Sequence, residues 1–179
     1  MSSEPESVGE RLGATVQSYQ AAVDDYDREL AHRLGVNETD LRCLEILLSQ
    51  EEFAPSALST RMGLTTGSVT TMLDRLEKLG YITRTPHPTD RRRSLVRVTP
   101  EATRLARRLT APFIGDAAEK VAARFTPEQI ETVIDFLAFT RDIQNEHTQL
   151  LRDVPEPAHR RSGGRQAPGP RTGARTRTR

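Results

Sequence analysis

The sequence has no tryptophan, and aromatic residues make up only 4% of it. Single-stranded nucleic acid is commonly held by stacking bases on aromatic rings, so this shortage argues against that mode of binding. A single cysteine, Cys43, excludes an intrachain disulfide and fits a reducing, cytoplasmic setting. No apolar run approaches the length of a membrane span. The opening MSSEPESVGE has neither a basic start nor an apolar segment, so no secretory signal is expected. His32, His87, His147 and His159 are scattered, with no close His/Cys pair of the spacing metals prefer. No Ser/His/Asp arrangement, phosphate loop or paired-carboxylate motif appears in context, so neither catalytic residues nor a cofactor are expected.

The near-neutral net charge of +1 conceals a strong division. Residues 1–53 carry 4 basic and 12 acidic side chains, whereas residues 54–99 carry 8 and 3. Residues 100–151 carry 6 and 8, and residues 152–179 carry 8 and 2. Positive charge therefore collects on one central segment and on the C-terminal tail, a pattern that points to a nucleic-acid partner. The acidic flanks disfavour contact of the wrong face with phosphate.

The central segment, Pro55 to Thr99, carries the main pattern. Val69, Met72, Leu73, Leu76 and Leu79 form one apolar stripe on a helix from Thr66 to Leu79. The opposite face is centred on Gly67, Thr71, Asp74 and Lys78, flanked by Ser68, Thr70 and Arg75. Small hydroxyls and long cations can enter a major groove and reach base edges and phosphates. Asp74 would repel phosphate there, and is expected to pair with Lys78 or Arg75. Taken alone, the helix reads equally well as an ordinary amphipathic surface helix.

Its neighbours decide between the two. A shorter helix from about Pro55 to Met62 presents Ala57, Leu58 and Met62 to a core, and Gly63 stops it. Leu64 packs, and Thr65 caps the next helix. Two helices separated by about three residues have the spacing of a helix-turn-helix. After Gly80 the period becomes alternating. Tyr81–Arg84 and Leu95–Val98 read as strands joined by the polar loop Pro86–Ser94. Its successive arginines, Arg91, Arg92 and Arg93, suit a narrow minor groove, with Asp90 placed to orient Arg92. A solvated basic loop is the blander alternative.

The run LTTGSVTTMLDRLEKLGYITR, followed by PTDRRRSLVRVTPEA, resembles the MarR-type (multiple antibiotic resistance regulator) transcription factors. The Leu-Asp-Arg-Leu-Glu run before Gly80, the pair Asp90 and Arg92, and Val98-Thr99-Pro100-Glu101 carry the resemblance, which covers roughly residues 7 to 150. Arg93 departs from it, since that family often has a small residue there; a more basic wing results. The resemblance implies a mainly α fold with a small β-wing, in an obligate homodimer. It implies a cytoplasmic, ligand-responsive repressor, of the kind used in stress responses. Such a dimer reads a palindromic double-stranded operator whose half-sites lie about one helical turn apart. The residues expected at DNA are Thr65, Thr66, Ser68, Thr70, Thr71, Arg75, Asp90, Arg91, Arg92 and Arg93.

Elsewhere the chain is mostly helical. Val8, Leu12, Val16, Tyr19, Val23, Tyr26 and Leu30 recur at helical spacing from about Ser7 to Leu34, and Gly35 closes that helix. Asn37-Glu38-Thr39-Asp40 resembles a capping box with Asp in place of Glu. It opens a helix to about Ser49 that buries Leu41, Leu44, Ile46, Leu47 and Leu48. Thr99-Pro100-Glu101 begins a helix to about Arg124, in which Pro112 can introduce a kink. Thr126-Pro127-Glu128-Gln129 begins another, to about Leu150. The helices at about 7–34 and 100–150 exceed what a winged helix at about 54–99 needs to fold, and a dimer interface is their economical use. The domain is therefore expected over 7–151, after a disordered N-terminus of residues 1–6.

The family resemblance also implies a small aromatic or phenolic effector, in a cleft built from the first, second and fifth helices. Tyr19, Tyr26, His32 and Phe53 are the candidates, with core packing as the competing role of each. Cys43, mid-helix among apolar residues, reads as a buried small hydrophobe rather than the oxidant-sensing thiol of some relatives. The segment from Arg152 to Arg179 is rich in Pro, Gly and Arg, reads as a disordered basic tail, and would add sequence-independent attraction to phosphate. The competing functional class is a winged-helix architectural or protein-interaction module that binds DNA without sequence preference; an RNA-binding winged helix is a more distant one.

Overall fold

Helix ends follow capping chemistry along the chain. The computed structural model describes residues 7–50, 52–89 and 94–155. Helix α1 spans Val8–Leu34. Its N-cap Ser7 accepts from the Glu10 amide while the Glu10 carboxylate accepts from the Ser7 amide, a complete capping box. Helix α2 spans Glu38–Leu48. Helices α3 (Pro55–Met62) and α4 (Thr66–Lys78) follow. Between them Gly63 takes φ 65°, a left-handed conformation that side chains resist, so the chain turns within three residues. Strands β1 (Ile82–Pro86) and β2 (Ser94–Val98) pair antiparallel, with Ile82 opposite Val98 and Pro86 opposite Ser94. Helices α5 (Pro100–Arg124) and α6 (Pro127–Arg152) complete the order. Among the described residues no helix is long and apolar enough to cross a membrane.

Several boundaries differ from expectation for local reasons. The capping box of α2 is only half formed. Asn37 accepts from the Asp40 amide at 2.8 Å, but the Asp40 carboxylate turns away to an arginine on α4. Strand β1 begins after Tyr81, whose backbone closes the α4 terminus through a bond from its amide to the Leu76 carbonyl. The strand instead extends through Pro86, which sits at its far end, where a missing N–H costs the ladder little. Helix α5, by contrast, has the expected bounds and contains Pro112. Leu48, Leu79 and Ala57, expected inside, are exposed.

The core has two clusters. The larger gathers Cys43, Leu44, Ile46 and Leu47 of α2, Leu58 of α3, Val69, Met72, Leu73 and Leu76 of α4, and Ile82 and Val96 of the wing. Phe53 joins it, exchanging two backbone hydrogen bonds with Val96 as an isolated bridge beside β2. The smaller cluster joins Ala31 and Leu34 of α1 to Leu41 of α2, with Tyr81, Leu105 and Leu109 against them. The Tyr81 hydroxyl donates to the Leu34 carbonyl at 2.6 Å and so ties the base of the wing to the end of α1. Buried Thr99 caps α5, accepting from the Ala102 amide while donating to the Gly80 carbonyl.

The chain divides into two compact units at Glu119 and Lys120, within α5. In the second, α6 opens with a capping box between Thr126 and Gln129 and has no buried residue along its length. Val133, Ile134, Leu137, Phe139 and Ile143 are all exposed.

Candidate nucleic-acid interface

Helix α4 lies with one face in the core and the other toward solvent. Val69, Met72, Leu73 and Leu76 are buried, while Thr66, Gly67, Ser68, Thr70, Thr71, Asp74 and Lys78 are exposed. Its N-terminus is held by Thr65, whose hydroxyl oxygen accepts from the Ser68 amide and lies 2.9 Å from the Ser68 hydroxyl. Thr70 and Thr71 donate their hydroxyl hydrogens to the carbonyls of Thr66 and Gly67, at 2.9 and 3.1 Å. The expected hydroxyl surface is therefore assembled on one helix face, and most of its hydroxyls are already engaged within the helix.

Asp74, Arg75 and Glu77 of α4 meet charges on other elements. Arg75 forms a two-point ion pair with Asp40 of α2, Nε to Oδ2 at 3.1 Å and Nη2 to Oδ1 at 2.7 Å. The Asp40 side chain is only 3% exposed, against 46% for Arg75. The hydrogen bonds that Arg75 donates to Asp40 raise its pKa above the ordinary value, so the guanidinium stays charged. Asp74 does not pair with Lys78 or Arg75. Its partner is Arg84 of β1, at 2.6 Å, and the same guanidinium approaches Glu77 at 3.7 Å. The reason is placement: β1 runs beside α4, which brings a less exposed arginine within reach, while Asp40 draws Arg75 to the other flank. Arg97 of β2 pairs with Glu52, anchoring the other wing strand to the segment before α3. Asp90, Arg91, Arg92 and Arg93 lie outside the described residues, so the expected contact between Asp90 and Arg92 does too.

A second feature lies in the first unit. A cavity of about 440 Å³ opens between α1, α2 and α5, the three helices expected to form an effector cleft. Leu30 and Leu34 of α1, Leu41, Leu44, Leu47 and Leu48 of α2, and Ala102 and Ala106 of α5 make its walls apolar. Tyr81, Glu45, Gln50, Thr103, Arg107 and Thr110 add the polar groups. The four aromatic and imidazole candidates do not line it. Tyr19 is 66% exposed on α1, and Tyr26 packs on Phe113 with ring centroids 4.9 Å apart. His32 is exposed in the last turn of α1, and Phe53 is buried in the larger core cluster. The signal that would have found the cavity is the pair Ala102 and Ala106, small residues four apart that leave space opposite leucines.

Cys43 is fully buried in the larger cluster. Burial, with a smaller contribution from the nearby Asp40 charge, pushes its thiol pKa up to about 12. It packs as a small apolar side chain and is not an activated thiol.

Residues 36–94 match the model of the MarR family. The chain is also 32% identical to an uncharacterized HTH-type transcriptional regulator of Bacillus subtilis, YcgE, over 79% of this chain and 87% of that one. The chain belongs to the MarR family. It is a MarR-family transcriptional regulator rather than an enzyme. The fold agrees: wild-type MarR of Escherichia coli superposes with TM-score 0.54 at 22% identity, over 77% of this chain and 98% of that one. Streptococcus pneumoniae FabT, solved in complex with DNA, superposes with TM-score 0.59 at 23% identity, over 76% and 96% of the two chains. Helices α3 and α4 with β1 and β2 thus match the winged helix-turn-helix fold of MarR-type chains.

Proposed function

We propose that this MarR-family regulator is a cytoplasmic homodimeric repressor that binds a palindromic DNA duplex and is released by a small molecule. The observation that carries the reading is the solvent face of α4. Its small and hydroxylated residues stand exposed, while Asp40 pairs with Arg75 and Arg84 with Asp74. A face so built can approach base edges closely. Thr65, Thr66, Ser68, Thr70 and Thr71 contact the duplex in this reading. Arg91, Arg92 and Arg93, oriented by Asp90, enter the minor groove, and the basic segment 152–179 adds attraction to phosphate.

The dimer follows from surfaces the single chain leaves uncovered. Val8, Leu12, Tyr19 and Val23 are exposed on α1, and Val133, Ile134, Leu137 and Phe139 on α6. Apolar surface on this scale marks an interaction site, and a second copy of the chain is the occupant that gives a palindromic target its two-fold partner. In this reading residues 7–151 form the functional domain. The cavity between α1, α2 and α5 receives the effector, since its walls are apolar and its few polar groups can fix an orientation.

The test is selection from random duplexes by the purified full-length protein at near-physiological salt. The expected product is an inverted repeat with half-sites about one helical turn apart. Retention without any enriched sequence would replace this reading with that of an architectural protein.

A further inference from the structure

Resting on the reading that α4 enters the major groove, its hydrogen bonds point to the kind of base it can read. Guanine is recognised most often by a fork of two donors from one arginine or lysine to O6 and N7. Arg75 gives Nε and one Nη2 hydrogen to Asp40, which fixes the guanidinium and leaves its Nη1 hydrogens and the second Nη2 hydrogen uncommitted. Arg84, the other guanidinium beside this face, is engaged by Asp74 and Glu77. The hydroxyls of Thr70 and Thr71 have each given their only hydrogen to a backbone carbonyl. What those two side chains still offer a groove is an acceptor lone pair and a methyl group. The complementary groups on base edges are the amino hydrogens of adenine N6 and cytosine N4, and the C5-methyl of thymine.

We propose that Thr70 and Thr71 of α4 read thymine methyl groups and the amino donors of adenine and cytosine, and leave guanine N7 and O6 to other groups. Gly67, one turn before Thr71, adds no side chain to this face, and a Cβ there would meet nothing within 4 Å. The bases can therefore come close to the two threonines. Ser68 and Thr65 share one hydrogen between their hydroxyls, which leaves a single donor for the pair.

The experiment uses the full-length protein and the duplex obtained by selection. Each thymine of a half-site is replaced in turn by deoxyuridine, which removes only the methyl group. Each guanine is replaced by 7-deazaguanine, which removes the N7 acceptor. Neither change touches the protein, so protein folding cannot confuse the result. At least one deoxyuridine in each half-site is expected to weaken binding about fourfold, the value of one buried methyl-sized group. That loss should vanish in Thr70→Ser or Thr71→Ser, which keeps the hydroxyl and removes the methyl. Any cost of a 7-deazaguanine should persist in Thr70→Val and Thr71→Val, because neither hydroxyl has a hydrogen left to donate to N7.

If deoxyuridine has no effect anywhere in the half-site, the inference is overturned. So it is if a 7-deazaguanine costs about tenfold and the cost disappears in Thr70→Val or Thr71→Val, since a threonine hydroxyl would then be donating to N7. Both results leave sequence-specific binding intact. A selection that enriches no sequence overturns the underlying reading as well, so the two failures are distinguishable.

Discussion

Asp40 and Arg75 are 35 positions apart in the chain and form a two-point ion pair, with heavy-atom distances of 2.7 and 3.1 Å. The pair joins the first turn of α2 to the third turn of α4, with its acid buried and its base half exposed. Asp40 thus fixes one flank of α4, and Arg84 on β1 fixes the other. Leu41, the next residue along α2, lines the cavity, so the element that steadies α4 also forms a cavity wall.

Removing Arg75 leaves a buried carboxylate without its partner. Arg75→Ala should lower stability by about 1–3 kcal/mol, as measured by chemical denaturation. Arg75→Lys should recover only part of this, because an ammonium group cannot reproduce the planar fork. In a double-mutant cycle with Asp40→Asn, a coupling energy near zero would show that the two groups do not support each other.

The thiol of Cys43 gives a pH dependence with a definite sign. Its folded pKa, pushed up to about 12, lies above the ordinary value of 9.0, so the folded state retains the proton longer. Its contribution to stability is complete below pH 9.0 and is lost as pH rises toward about 12. Wild-type protein should lose stability more steeply than Cys43→Ala across that range in parallel denaturation curves. At neutral pH a maleimide should label Cys43 only on unfolding.

Gly67 and Gly63 should respond oppositely to alanine. Gly67 is helical, and a Cβ there meets nothing within 4 Å, so Gly67→Ala should raise stability by about 0.5–1 kcal/mol. It should also weaken DNA binding, by inserting a methyl where the duplex approaches. Gly63 has φ 65°, and Gly63→Ala should cost about 1–2 kcal/mol. Thermal melts paired with binding titrations check both, and undiminished affinity in Gly67→Ala would argue against a close approach at that end of α4.

Arg84 couples the wing to α4 through Asp74 and Glu77. Arg84→Gln should shift stability by less than about 1 kcal/mol, as expected for ion pairs with exposed partners. It should weaken DNA binding several-fold, to selected and random duplexes alike, because two carboxylates are released near phosphate. Loss confined to the selected duplex would instead make Arg84 a reader of bases.

The apolar residues of α6 should set the oligomeric state. Leu137 is 55% exposed in the single chain, so Leu137→Glu should not disturb a core. If α6 lies in the dimer interface, analytical ultracentrifugation should show a shift from dimer to monomer. An unchanged dimer mass would move the interface elsewhere.

Much of this architecture was legible from local pattern. A helix is closed by bonds between residues four apart, so its apolar face, cap and stop signal lie within one short stretch. Thr65, Gly63, Thr99 and the pair Thr126 and Gln129 announced their helix boundaries for that reason. The alternating residues of β1 and β2 likewise named their strands, with errors of one or two positions at Tyr81 and Pro86. The buried face of α4 was readable from period alone, as was the exposed face opposite it.

Partner choice between elements was not legible, because it depends on distances that sequence spacing does not encode. Asp74 had an obvious partner four residues away in Lys78, yet packing of β1 beside α4 supplied Arg84 instead. Asp40 looked like a capping residue until the approach of α2 to α4 placed Arg75 within reach. The cavity shows the same division. Its three helices could be named from the family resemblance, but its lining could not. Which leucines face a void depends on where Ala102 and Ala106 let α5 leave space, and only tertiary packing decides that. The amino-acid sequence determined helices, turn and wing through local hydrogen bonding and periodicity. The tertiary structure alone decided which charges meet across elements and which side chains line the cavity, because both depend on how separate helices and strands pack.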